Sequence, residues 1–183
     1  MGWFAAPEEL RFDDFCVRGW RPGDGPAQAR AVRAAHAYLI PWMAWPKADL
    51  SDDEAEHHCR NSRGRWLKNE DFGLALWQGD RVVGGSGFHL RRGAIESGNA
   101  EIGMWIAPTH AGSGVGTRLL QELVRWGFSA WPWERLEWRC DAANVASWRV
   151  AEKAGLHLDG VLRSEARTEG GRRDTRVYSA VKR

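Results

Sequence analysis

The chain has 183 residues, 43% hydrophobic and 27% charged, which fits one globular domain rather than a disordered or fibrous protein. Its 26 basic and 24 acidic residues leave a net charge of +2, which argues against a dedicated nucleic-acid binder. Cys16, Cys59 and Cys140 are widely spaced and odd in number, which favours reduced thiols over a disulfide framework.

The first residues show no targeting signal. Glu8 and Glu9 interrupt any basic-then-apolar pattern, so a secretory signal is not predicted. The longest apolar run, 37–46, is about half a membrane span and contains Pro41. We expect a cytoplasmic protein with no membrane partner, consisting of a single domain over 1–183 with a loose segment at 1–10.

The N-terminal third predicts a strand followed by two helices. Mixed apolar and polar residues at 12–20 favour a strand that ends at a turn. Pro26 opens a helix that Pro41 stops. Ser51, with Glu54 three residues later, forms a capping box that starts the second helix.

From Phe72 the apolar period changes from helical to alternating. Residues 72–78 and 82–90 flank a Gln-Gly-Asp turn and predict a hairpin. The remaining elements are a strand at 101–106, a helix after a glycine cluster, a strand at 136–140, a helix at 144–154 and two strands flanking Gly170-Gly171. This order predicts a mixed sheet with helices packed against it.

A glycine-rich loop at 108–117 lies between a predicted strand and an amphipathic helix. Its backbone N–H groups and the helix N-terminus suit a pyrophosphate. A Walker A loop is excluded because it needs Gly-Lys-Ser/Thr, whereas the chain has Gly116-Thr117-Arg118. A dinucleotide fingerprint is excluded because it needs two residues between its last two glycines, and only Val115 lies there. An ordinary glycine-rich turn remains the alternative.

The loop resembles the acetyl-CoA loop of the GNAT superfamily of N-acetyltransferases. That loop reads Arg or Gln, two residues, Gly, one residue, then Gly or Ala. Gly114 and Gly116 match the two glycines, while Ala111 stands where Arg or Gln is usual. This departure removes a donor near the pyrophosphate, for which Arg118 or another basic residue would have to compensate.

A second motif follows about thirty residues later. Asn144 to Leu156 is similar to the family's Asn, Ser or Ala, Glu-Lys-x-Gly-Phe pattern, with Leu156 replacing Phe, and 159–163 is similar to Glu-Gly-x-x-Arg. The stretch 41–46, between a helix and a Ser-capped helix, is similar to the RimJ/RimL ribosomal-protein N-terminal acetyltransferase branch. The resemblance covers nearly the whole chain.

The resemblance implies a mixed α/β GNAT fold: a mostly antiparallel central sheet of about seven strands, with a splayed parallel pair, flanked by about four helices. It implies acetyl-CoA as co-substrate and no metal. The residues that it assigns to acetyl-CoA are Trp105, Ile106, Ala111, Gly112, Ser113, Gly114, Val115, Gly116, Thr117, Asn144 and Ser147.

The catalytic candidates also come from the resemblance. Most superfamily members carry Tyr seven residues after the Asn, and here that position is Ala151. Ser147, which matches the branch's serine near the CoA sulfur, is the expected substitute acid, and a first-turn hydrogen bond to the backbone is its alternative role. Glu101 is the expected general base, acting through water, with Glu165 as the rival.

The acceptor cleft is expected at Trp42, Met43 and Trp45, with His89 among the substrate residues. Core packing and a homodimer contact remain open roles for the tryptophans. His89 and His110 remain open as bases, although a lone His in a strand or loop is more often structural.

The chemistry of the amine bears on the acceptor. An α-amine with pKa near 8 is roughly a tenth neutral at pH 7, whereas a lysine amine is almost wholly charged. With no obvious strong base, the sequence favours a protein or peptide N-terminus. A small-molecule amine, such as an antibiotic or metabolite, remains an alternative, as does an acyl-CoA-binding protein with little catalysis.

Adjacent residues His57, His58 and Cys59 resemble part of a metal site. Neighbouring residues on a helix point in different directions, and no second ligand cluster is present in the sequence. We therefore expect no metal.

Overall fold

Eight strands form one sheet in the computed structural model, which describes residues 4–168 and 170–183. The strands are β1 (Glu9–Phe12), β2 (Phe15–Gly19), β3 (Phe72–Gln78), β4 (Arg81–His89), β5 (Asn99–Ile106), β6 (Arg135–Asp141), β7 (His157–Thr168) and β8 (Gly171–Val181). The helices are α1 (Gly25–Leu39), α2 (Asp52–Leu67), α3 (Val115–Ala130) and α4 (Val145–Lys153), with short 3₁₀ turns at Ile95–Ser97 and Pro108–His110.

The sheet has the order β1-β2-β3-β4-β5-β6-β8-β7. Within the described residues, β5 and β6 are the one parallel pair, so the predicted mixed fold with a largely antiparallel sheet and four helices is confirmed. There are eight strands rather than about seven. The predicted first strand, 12–20, is divided at Asp13, whose positive φ of 48° turns the chain back so that Glu9 pairs with Arg18.

The helices begin where the sequence predicts. Pro26 lies in the first turn of α1, where its missing N–H costs nothing. The capping box of α2 is complete: Ser51 Oγ accepts a hydrogen bond from the Glu54 N–H at 3.1 Å, and the Glu54 carboxylate accepts one from the Ser51 N–H at 3.0 Å. None of the helices in the described ranges is both long and apolar enough to cross a membrane.

Several tryptophans belong to the core. The rings of Trp131 and Trp133 stack 5.9 Å apart, and Phe72 meets Trp131 edge-on at 4.8 Å. Trp66 and Trp126 pack around the same cluster. Core packing, one of the two open roles, therefore accounts for these four tryptophans.

The parallel strands separate after three residue pairs. They are paired from Asn99–Arg135 to Glu101–Glu137. Beyond this point β5 continues along β4 as far as Ile106, whereas β6 continues along β8 as far as Asp141. The side of β5 that faces β6 is therefore unpaired from Ile102 onward, and the predicted splay is confirmed.

Candidate active site

A cavity of about 660 Å³ opens between the separated strands, and we call it the splay cavity. It lies between the end of β5, the glycine loop and the start of α4. The predicted cofactor residues that line it are Trp105, Ile106, Ala111, Gly112, Gly114, Gly116, Thr117, Asn144 and Ser147. Ser113 and Val115 do not line it, because Ser113 Oγ donates to the His110 carbonyl at 2.7 Å and Val115 packs against the core.

The glycine loop has a conformation that requires glycine at two positions. Gly112 and Gly114 have φ of 74° and 88°, where an L side chain would be strained. Gly114 precedes α3 and no side chain caps this helix, so its first N–H groups are available to an anion. The loop therefore fits a phosphate group in the splay cavity.

The positively charged side chains at the splay cavity do not include Arg118, the residue expected to compensate for Ala111. Arg118 lies 3.3 Å from Glu122 and 3.7 Å from Asp13 and does not line the cavity. Arg149 and Lys153, both on α4, do line it. These two residues, rather than Arg118, supply positive charge to the cavity in which Ala111 replaces the usual Arg or Gln.

Ser147 is held by two hydrogen bonds at the wall of the splay cavity. Its backbone N–H donates to Asn144 Oδ1 at 3.0 Å, so Asn144 caps α4. Its Oγ accepts a hydrogen bond from Trp138 Nε1 at 3.2 Å. Because the indole N–H can only donate, the serine proton is left for another acceptor. In residues 4–168 and 170–183, the Ser147 hydroxyl makes no hydrogen bond to the backbone, which was its alternative role, and its role as the acid stays a prediction.

A second cavity of about 500 Å³ lies between α2 and strands β4 and β5, on the face of the sheet that carries α1 and α2. We call it the α2 cavity. It shares Met43, Met104 and Trp105 with the splay cavity. The two cavities therefore meet at these residues, which we call the junction.

The α1–α2 loop lies across the junction. Trp42 lines the splay cavity, Trp45 lines the α2 cavity, and Met43 lines both. The rings of Trp45 and Trp105 are 6.2 Å apart. The expected acceptor wall is thus shared between the two cavities.

The two candidate carboxylates have different surroundings. Glu101 lines the α2 cavity, with Arg139 Nε 4.0 Å from its Oε2. Glu165 lines neither cavity: it accepts a hydrogen bond from Thr175 Oγ1 at 2.7 Å and pairs with Arg139 at 2.7 Å. The Thr175 hydrogen bond and the Arg139 charge lower the pKa of Glu165. Of the two, Glu101 alone is placed to face an acceptor.

His89 lies directly opposite Glu101 on the neighbouring strand and lines the same cavity. Its Nδ1 is 2.9 Å from Asp71 Oδ1. Sequence reasoning missed Asp71, although the hairpin contained a signal. Phe72 pairs with Phe88 across the hairpin of β3 and β4, so Asp71 lies near His89. A regular ladder counted from the turn would not give this pairing, because the register shifts by one residue between Leu76 and Trp77.

No group of three or more His, Cys, Asp or Glu side chains is placed to hold a metal in residues 4–168 and 170–183. Within the suspected cluster, His58 Nδ1 is 2.8 Å from Gln28 Nε2 and Cys59 Sγ donates to Gln28 Oε1 at 3.7 Å.

Comparison with known proteins gives a consistent family and fold. A family model of the acetyltransferase (GNAT) domain matches residues 14–157. The probable N-acetyltransferase YjcK of Bacillus subtilis is 33% identical over 120 residues, which are 64% of this chain and 65% of that protein. The chain thus spans just under two thirds of the length of the curated relatives that it matches.

Solved structures share the fold at low identity. RimL, a ribosomal L7/L12 alpha-N-protein acetyltransferase in complex with coenzyme A, has a TM-score of 0.86 at 20% identity, over 96% of this chain and 98% of that one. The microcin C7 self immunity acetyltransferase MccE, in complex with acetyl-CoA and AMP, has a TM-score of 0.82 at 21% identity, over 93% of each chain.

Proposed function

The chain belongs to the GNAT acetyltransferase family, and on that premise we propose that it transfers an acetyl group from acetyl-CoA to a primary amine, namely the N-terminal α-amine of a protein or peptide. Transfer is direct, within a ternary complex. The observation that carries the proposal is the junction of Met43, Met104 and Trp105, where two cavities of different chemistry meet.

The splay cavity suits the CoA part of the co-substrate. The unpaired side of β5 after Glu101 offers backbone groups to the amides of the pantetheine arm. The uncapped N-terminus of α3 suits the pyrophosphate, and Arg149 and Lys153 add positive charge. RimL and MccE, which share the fold, are described with coenzyme A and acetyl-CoA.

The residues at the junction suit acetyl transfer. Unpaired N–H groups of β5 near Trp105 and Ile106 stabilise negative charge on the thioester oxygen, a contribution of about 3 kcal/mol for one such donor. The Ser147 hydroxyl protonates the departing CoA thiolate. Glu101 attracts the protonated amine into the α2 cavity before reaction.

The acceptor is a peptide N-terminus because the α2 cavity offers mixed chemistry over about 500 Å³. Arg65 and Arg91 line it with Glu101 and Asp71, so an amine and the polar backbone that follows it both find partners. An α-amine is also easier to deprotonate than a lysine amine. RimL, named as an alpha-N-protein acetyltransferase, supports the same class of acceptor.

A small-molecule amine is the second candidate. Trp20, Trp45 and Trp105 give the α2 cavity aromatic walls that suit a compact apolar amine. The fold is shared with MccE, named as a self immunity acetyltransferase. A third candidate, an acyl-CoA-binding protein with little catalysis, takes its support from Ala111 and Ala151, which depart from the family pattern.

The test follows CoA thiol release from acetyl-CoA with short peptides that have free N-termini, the same peptides with a blocked α-amine, and small amines. Release with free peptides alone, with mass spectrometry locating the acetyl group on the α-amine, supports the proposal. Release with small amines alone assigns the second candidate. Acetyl-CoA binding without release in any mixture assigns the third.

A further inference from the structure

His89 and Asp71 form a largely buried pair in the α2 cavity. The Asp71 side chain is 14% exposed and that of His89 is 21% exposed. His89 Nδ1 lies 2.9 Å from Asp71 Oδ1. Both residues line the cavity, and the acetyl transfer proposed above gives neither of them a part in moving a proton.

Two glycines make room for the imidazole. His89 pairs with Glu101, and two residues away along each strand Gly87 pairs with Gly103. A Cβ on Gly87 would lie 2.7 Å from His89 Cε1, and a Cβ on Gly103 would lie 3.0 Å from His89 Nε2. The ring therefore lies over this glycine pair. Its Nε2 lies above Gly103, the residue that precedes Met104 of the junction on β5.

The hydrogen bond to Asp71 fixes which nitrogen carries the proton. Burial acts to raise the pKa of Asp71, but the hydrogen bond from His89 and the charges of His89, Arg65 and Arg91 together lower it. An ionised Asp71 accepts a hydrogen bond from Nδ1–H of His89, so the neutral ring keeps its lone pair on Nε2. Because His89 lines the α2 cavity, this nitrogen is the proton acceptor that the ring offers there.

We propose that His89 takes the proton from the acceptor amine, directly or through one water, and that Asp71 is its positioning residue. The inference rests on the proposed function. The ammonium N–H bond breaks and the proton moves to Nε2, and the freed amine then attacks the thioester carbonyl carbon. The C–S bond breaks, the thiolate takes a proton from Ser147, and the amide forms as the nitrogen loses its second proton. Of the two protons released by the amine, one returns to Ser147 through water and the other passes to solvent.

An imidazole is better matched to this step than a carboxylate. The equilibrium for moving a proton from an α-ammonium of pKa near 8 to an imidazole of reference pKa near 6.5 is unfavourable by roughly 30-fold. For a carboxylate whose acid has a reference pKa near 4.3, the same equilibrium is unfavourable by roughly 5,000-fold. Glu101, the base expected from the sequence, then has a different role. It lies opposite His89 and stabilises the ammonium and the imidazolium by its charge.

The test compares His89→Gln and Asp71→Asn with the wild-type chain, and His157→Gln is the matched control. The His157 side chain is 84% exposed and lines neither cavity. We expect His89→Gln to lower kcat at least roughly 100-fold without changing the KM for acetyl-CoA, and Asp71→Asn to lower it less. Imidazole added to His89→Ala restores turnover, which a purely structural role would not allow.

The pH profile gives a second readout. The charged and titratable groups around His89 are Asp71 before β3, Arg65 and His58 on α2, Arg91 after β4 and Glu101 on β5. In a plot of kcat/KM against pH, we expect His89 to produce the rising limb. This limb should disappear in His89→Gln and persist in Glu101→Gln. The reverse result would assign the base to Glu101 and overturn the proposal.

Nitrogen NMR of the histidine ring tests the tautomer without turnover. The proposal expects Nδ1–H in the wild-type chain and loss of this preference in Asp71→Asn; an Nε2–H ring overturns it. Turnover in His89→Gln equal to that of the wild-type chain overturns the role of His89 alone. A wild-type chain that acetylates no amine overturns the proposed function and the role of His89 with it.

Discussion

Ser147 is held in place through both its backbone and its side chain. Its N–H completes the cap made by Asn144, and its Oγ accepts from Trp138. These bonds hold Ser147 at the wall of the splay cavity, and its hydroxyl proton is not used by the bond to Trp138, as the proposed acid role requires. The position of this hydroxyl follows from local capping, so the sequence motif predicts it.

Ser147→Ala should lower kcat by roughly 100-fold, because the thiolate loses its proton donor. Acetyl-CoA affinity, measured by calorimetry, should change little. Ser129→Ala, on the exposed end of α3, is the control and should keep full activity. Equal activity of the two variants would exclude Ser147 as the acid.

Gly103→Ala tests the position of His89. A Cβ there would lie 3.0 Å from His89 Nε2, so the ring must move by a few tenths of an ångström. We expect kcat to fall roughly tenfold, since small misplacements of reacting groups are costly. Gly160→Ala is the control because nothing lies within 4 Å of its added Cβ. Equal kinetics for both variants would contradict the placement.

At the scale of elements, α2 connects stability with the site. Its N-terminus is held by the capping box, and its Arg65 and His58 line the α2 cavity. The helix has few buried residues, namely Ala55, Cys59 and Trp66. Its capping therefore matters for the geometry of the cavity as well as for folding.

Ser51→Ala should destabilise the protein by about 1 kcal/mol, because the Glu54 N–H loses its acceptor. Gly64→Ala should act in the opposite direction and stabilise it by about 0.5–1 kcal/mol, since the added Cβ meets nothing within 4 Å. Denaturant unfolding measures both. Changes of the same sign would contradict this account of α2.

Glu54 should make the capping box sensitive to acid. Hydrogen bonds from Lys47 and Ser51 lower its pKa from 4.5 to about 2. A lowered pKa in the folded state means that the contribution to stability is present above pH 4.5 and is lost as the pH falls toward about 2. The melting temperatures of the wild-type chain and Glu54→Gln should therefore converge over this range. A constant difference would exclude the effect.

At the scale of the whole molecule, the splayed sheet brings two cavities together. The splay cavity opens where β5 leaves β6, and the α2 cavity lies on the helix-covered face of β4 and β5. The proposed function assigns one substrate to each cavity, and Met43, Met104 and Trp105 line both. No cysteine lines either cavity in the described part of the chain.

Initial rates should therefore show a sequential mechanism. With acetyl-CoA and a peptide acceptor varied together, double-reciprocal lines should intersect, because both substrates must be bound at the junction before transfer. Parallel lines, together with an acetylated protein detected by mass spectrometry, would indicate a covalent intermediate instead.

The sequence by itself determined the order of helices and strands, the glycine loop and the helix that begins at Asn144. These features depend on local periodicity, on glycines with positive φ and on short-range hydrogen bonds, all of which are written in contiguous residues. The family motifs, which occupy two such segments in order, added the splayed strand pair. The first strand was predicted undivided because the reversal depends on one residue, Asp13.

Only the tertiary structure decided which side chains meet. It separates Glu165 from both cavities, pairs Arg118 with Glu122 rather than with the glycine loop, and brings Asp71 to His89. Each outcome depends on strand register or on the packing of side chains in three dimensions. The register shift at Leu76 shows the physical reason: moving one residue in a ladder changes every partner beyond it, and no local pattern in the sequence records that shift.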